Sequence, residues 1–358
     1  MLSGQFRRFP SSTTYVALRS NNLSIASTPR PPKVSRKLSL AYDLQESARS
    51  AADAGEHERA AADLEKLIGV LPNAGGTRER QLAFVAHYNL GNSLGKLGRH
   101  EEAVRRYDEA LTALAATNDL RERRLAAWVQ LNKGIALKCA GRVEEAHAVF
   151  QAMVVDFGED SDPELQRQVA KALLEAGLCL SDLGRHAEEL WLYDELIRRL
   201  QNPVGQWVDE LMAKASVYKG FTLNQLGDSH DQEQVEVYDE VISRFASSTE
   251  PEIVHMCAIA TYNKGVLLSV MGRFREALEL HEAQVERLSD TDLPDVRVLV
   301  AKSALGMARN LRSLNELDEA LEAYAWVIDR FNASDDPRLK EQAAAAAEET
   351  AIALDESD

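Results

Sequence analysis

The sequence predicts an all-α solenoid of about seven stacked helix pairs plus a C-terminal capping helix. Two observations predict it: a set of side-chain columns that returns at a nearly constant interval, and helix-start signals between the copies. The segments Gly98-Arg-His-Glu-Glu-Ala, Gly141-Arg-Val-Glu-Glu-Ala, Gly184-Arg-His-Ala-Glu-Glu and Gly272-Arg-Phe-Arg-Glu-Ala are plainly related. Gly55 opens an early copy, Gly227 a degenerate one, and Asn315 replaces glycine in the last. The steps between these positions are 43, 43, 43, 43, 45 and 43 residues. With 358 residues, 45% of them hydrophobic and 27% charged, the chain is long enough for such an array, in which each unit packs on its neighbours.

Within a unit the first helix is read from Leu94, Leu137, Leu180, Leu223, Leu268 and Leu311, each four residues before its turn. Seven residues before the turn stand Gly91, Gly134, Gly177, Gly220 and Gly265, with Ala308 in the last copy. The leucines return to one helical face, and the small residue lets a neighbouring helix come close. The turn glycine suits a helix end, where a left-handed backbone costs glycine least. The second helix then buries Ala103, Tyr107 and Ala110 and their copies. Between units, Asp162-Pro163, Glu250-Pro251, Leu293-Pro294 and Asp336-Pro337 read as helix starts, because proline lacks only an N–H that the first turn does not need. The expected units lie near 41–72, 78–117, 120–157, 163–201, 205–246, 251–289 and 294–332, with a cap at 337–354 and an acidic tail at 355–358.

Residues 1–40 lack a sustained apolar period and are rich in Ser, Thr, Arg and Pro, which reads as a disordered basic tail. An organelle transit peptide and a basic arm stay open as alternatives. Net charge is −16; the first 42 residues contribute +7, leaving −23 on the rest. So acidic an array does not suit a nucleic-acid backbone. No run of 18 apolar residues points to a membrane span. Cys139, Cys179 and Cys257 are too scattered for a disulfide framework and read as small buried apolar residues in a reducing, cytoplasmic compartment.

Tyr88-Asn89-Leu90-Gly91-Asn92, followed by Gly98, Ala103, Tyr107 and Ala110, resembles the tetratricopeptide repeat (TPR) signature. The resemblance covers about residues 43–354 and departs from the family in its 43-residue unit, against about 34. It implies a right-handed superhelix whose concave groove is lined by first helices, and a protein that holds other proteins rather than doing chemistry. Transferring the groove columns by register nominates Tyr88, Asn92, Lys96, Trp128, Leu131, Lys138, Lys171, Lys214, Phe221, Asn224, Tyr262, Lys302, Arg309 and Arg312, with Ile135, Leu178 and Val266 among the apolar members. Two readings stand side by side. These lysines and arginines are ordinary solvated helix residues, or they charge a groove for a protein or peptide segment with acidic side chains and apolar anchors. The family's clamp for a C-terminal carboxylate is not matched, since Tyr88 occupies a lysine column.

No catalytic, metal or cofactor site is expected. Gly91-Asn-Ser-Leu-Gly95 has the letters of a nucleophile elbow but lies in a helical repeat column, not on a strand-to-helix turn. His281-Glu282 lacks the second histidine of a zinc helix. The glutamate pairs Glu101-Glu102 and Glu144-Glu145 recur where a helix dipole favours them. The function expected is a binding scaffold or adaptor, with a peptide-sensing regulatory subunit as the alternative.

Overall fold

A computed structural model describes residues 35–71, 76–114, 119–201 and 206–355, apart from the Gln206 side chain. Most of the expected basic tail, residues 1–34, lies outside the described residues, as does the acidic end 356–358. The described residues are helical and contain no strand. Two compact units are present, Met1–Thr117 and Asn118–Asp358. The first holds α1 (Arg36–Asp53), α2 (His57–Val70), α3 (Thr77–Lys96) and α4 (His100–Ala113). The second holds α5 (Leu120–Cys139), α6 (Val143–Phe157), α7 (Pro163–Asp182), α8 (His186–Leu200), α9 (Gln206–Leu226), α10 (Asp231–Phe245), α11 (Pro251–Val270), α12 (Phe274–Leu288), α13 (Pro294–Ser313), α14 (Leu317–Phe331) and α15 (Pro337–Asp355). The sequence register runs through residue 117 without a break, so the division into units leaves no mark on the repeat interval.

Each pair turns on the predicted glycine. At the end of α3 the Arg99 N–H reaches the Leu94 carbonyl at 2.9 Å and the Gly98 N–H reaches Gly95 at 3.1 Å, with Gly98 at φ +74°. These are the two bonds of a Schellman cap, which satisfies carbonyls a helix end leaves open. In the last pair Asn315 takes the same role at φ +61°, with the Glu316 N–H on Leu311 at 2.9 Å. The degenerate copy differs: Gly227 sits at φ +101°, and a 3-10 turn, Asp228–His230, absorbs the two extra residues of the 45-residue step.

Helices meet where the small column faces the aromatic one. A Cβ added to Gly177 would lie 2.5 Å from Tyr193 Cε1, and one on Gly134 would lie 2.4 Å from Phe150 Cε1. Tyr107, Phe150, Tyr193, Tyr238 and Tyr324 are all buried there. Helix starts are closed locally: Asp162 accepts from the Leu165 N–H at 3.0 Å, with Pro163 opening α7. Arg124 pairs with the same carboxylate (Nε to Oδ1, 2.9 Å), and that bond holds the Asp162 carboxyl below its usual range.

Two features differ from the sequence reading. Helix α1 starts at Arg36 with Ser35 as its cap, so the last residues assigned to the tail are helical. Helix α11 is long and apolar enough by composition to cross a membrane, with a mean hydropathy of 1.3 over its best window. Here it packs against α9, α10, α12 and α13, which accounts for its apolar character.

Candidate functional site

In the second unit every first helix touches the next first helix: α5 with α7, α7 with α9, α9 with α11, α11 with α13 and α13 with α15. Among the described residues the second helices, α6 to α14, do not pack backbone to backbone on one another; long side chains such as Arg199 bridge them. First helices are therefore the more closely spaced layer of this unit.

Of the nominated residues, Tyr88, Asn92 and Lys96 lie in the first unit. Tyr88 is buried and its ring lies parallel to Phe84 at 6.2 Å between centroids. Asn92 accepts from the Tyr107 hydroxyl at 2.8 Å, and Lys96 is exposed. The other nominated residues lie in the second unit. Leu131 is 2% exposed and belongs to the core.

Three of the nominated cations are paired with acids of the chain. Lys138 is buried and donates to Glu175 on α7 at 3.1 Å. Lys214 lies between Glu210 at 2.9 Å and Glu252 of α11 at 2.8 Å. Burial works against the Lys214 charge, yet the two carboxylates outweigh it and raise the ammonium above its ordinary value. Arg309 is held by Glu349 of the capping helix at 2.6 Å. Arg312 is half-buried.

Two lysines sit instead on aromatic faces. The Lys171 ammonium is 5.3 Å from the Trp128 ring centroid, and Lys302 is 5.9 Å from that of Tyr262. Such contacts favour a cation over a ring; Lys171 is itself buried, while Lys302 is half-buried. Burial pulls the Lys171 ammonium down to about 8, with Arg167 and Lys214 adding to that shift and Glu164 and Glu210 opposing it.

Between these pairs runs an apolar stripe. Ile135, Leu178, Phe221 and Val266 occupy one column, one residue after the small position, on four consecutive first helices, and all four are half-buried. Val270, one turn beyond Val266, is 69% exposed, and Met271 follows it. Phe221 leans on Tyr218 at 6.2 Å, while Asn224 is exposed beside it.

The glutamates were missed in the sequence. Glu175 and Glu252 follow their lysines by 37 and 38 residues, as Asp160 and Asp162 follow Arg123 and Arg124. That offset is the repeat interval less about one and a half helical turns, and opposite charges at that spacing were a signal available beforehand. Among the described residues no three His, Cys, Asp or Glu side chains are grouped to hold a metal ion. Ser93, the centre of the elbow-like pentapeptide, is buried inside α3.

The close row of first helices, Schellman-capped pairs and glycine-on-aromatic packing define a helical-repeat protein. Residues 88–163 match the family model of the tetratricopeptide repeat, and long units in the same register run on either side of that stretch. Among solved structures it is similar to the apo form of RapI (TM-score 0.57, 12% identity, covering 86% of this chain and 80% of that one). It is also similar to the apo form of the quorum sensor NprR from B. thuringiensis (TM-score 0.52, 12% identity, covering 83% and 89%). A tetratricopeptide repeat protein from Parabacteroides merdae aligns at a TM-score of 0.48 with 16% identity, over 86% and 99%. These likenesses are of fold. No curated protein matches the chain.

Proposed function

We propose that the protein is a scaffold or adaptor that holds an extended segment of another protein along the stripe Ile135, Leu178, Phe221, Val266 and Val270. The observation that carries this reading is one half-buried apolar side chain per first helix, at the same column, on four neighbours in a row. Packed helices stand about 8–10 Å apart. A polyproline-like segment returns to the same face every three residues, after about 9 Å. The partner is thus a segment with apolar side chains at every third position. Its acidic character rests chiefly on the half-buried Lys302, since Lys138, Lys214 and Arg309 already have carboxylates and Lys171 is buried.

Random peptides selected on the full chain test this. Enriched peptides should carry the three-residue apolar spacing, and each anchor lost should weaken binding about tenfold or more, as expected for a buried apolar side chain. Leu178→Glu together with Val266→Glu should abolish capture. Peptides without the spacing, or binding unchanged in the double variant, would remove the stripe from the account.

A peptide-sensing regulatory subunit is the second reading. It uses the same stripe and needs an element able to change shape; the seam between α12 and α13 has the composition for one.

A further inference from the structure

The apolar pattern breaks at three core columns that meet on the seam between the sixth and seventh pairs. Where Tyr107, Phe150, Tyr193, Tyr238 and Tyr324 stand in other pairs, the sixth has His281. Where Ala110, Met153, Leu196, Val241 and Val327 stand, it has Gln284. Facing them on α13, the column Ala86, Val129, Ala172, Ala215 and Ala260 becomes Ser303. All three are buried, His281 and Ser303 fully. Both ring nitrogens of His281, both amide atoms of Gln284 and the Ser303 hydroxyl find no hydrogen-bond partner among the described residues.

The imidazole is wedged between two glycines. A Cβ on Gly265 of α11 would lie 2.5 Å from its Cε1, and one on Gly306 of α13 would lie 2.7 Å from its Nε2. Helix α12 packs against α11 and α13. From α11 the titratable group facing His281 is Tyr262, with ring centroids 6.1 Å apart. From α13 the charged group is Arg309, whose cation opposes protonation although Glu349 holds it. The α12 carboxylates Glu282 and Glu286 are exposed. No acid compensates a proton on this ring. Burial first, and Arg309 second, push His281 down to about 4.

We propose that His281 makes the α12–α13 seam an acid-sensitive joint: protonation opens the seam and slackens the Tyr262–Lys302 end of the binding face. The link to binding rests on the function proposed above; the joint itself does not. Two further features favour opening at this place. Unpaired buried polar atoms weaken a seam, and local opening starts where the seam is weakest. Tyr262 and Lys302, the stacked pair of the apolar face, stand on the two helices that grip the ring.

The sign follows from proton linkage. An opened seam restores an ordinary imidazole near 6.5, so the closed form keeps its full advantage above that pH and loses it as pH falls toward 4. Amide hydrogen exchange on the full chain, corrected for intrinsic rates and without any ligand, reads this directly. Protection of α12 and α13 should fall about 20-fold between about pH 7 and about pH 5, relative to α7 and α8. In His281→Phe, and in His281→Tyr, which restores the residue of four other pairs, the relative fall should vanish. An equal fall in wild type and variants, or none in wild type, would overturn the proposal. Because no partner enters the measurement, its failure is separate from failure of the binding stripe.

Discussion

Replacing Gly177 by valine sets a side chain 2.5 Å from Tyr193 Cε1, deep in a packed pair, and should cost about 1–3 kcal/mol as overpacking does. Gly184→Ala meets nothing within 4 Å but must hold φ +69°, so its cost of about 1–2 kcal/mol is backbone strain alone. Urea unfolding separates the two, since Gly184→Asn should recover part of the loss and Gly177→Asn none. Both glycines were legible in the sequence because each repeats at its own column. His281 was legible as a gap in the aromatic column, but its consequence was not: a column says that a position is core, not what happens when its polar atoms lack partners.

The joints between neighbouring helix pairs rest on groups that the repeat pattern does not announce. Lys138 and Glu175 form an ion pair across α5 and α7 with side chains 2% and 10% exposed. Removing one partner of a buried pair strands the other charge and typically costs about 3–5 kcal/mol. Lys138→Met should therefore destabilise the second unit strongly, and Lys138→Met with Glu175→Leu should recover most of that loss. A double-mutant cycle by thermal unfolding checks it; strictly additive losses would contradict the pairing. A second device joins outer helices to the preceding pair. Arg199 donates to the Gly158 carbonyl at 2.9 Å and Arg330 to Ser289 at 2.5 Å, and Arg287 bonds the Ala246 carbonyl in the same way. Each arginine sits fifteen residues after its turn residue and caps the negative end of the previous second helix. The sequence does not mark these arginines, because the partner is a backbone carbonyl that no side-chain pattern records.

Across the molecule, helix order, pairing and the closing helix were legible because each follows from a period: 43 residues for the unit and 3.6 for the helix face. The division near residue 117 was not, since the register passes it unchanged. The pairing of charges between first helices was not legible for a related reason. Counting cations by column treats every first helix alone, whereas Glu175, Glu252 and Glu349 reach those cations from the next helix along. The recognition surface we propose is therefore the apolar stripe. The most direct test titrates a selected peptide into the methyl-labelled full chain and follows Ile, Leu and Val signals. The methyl groups of Ile135, Leu178, Val266 and Val270 should shift together at one affinity, with those of Val155 on the outer helix α6 unmoved. Shifts confined to Val155 and other outer-helix residues, with the stripe silent, would contradict the account.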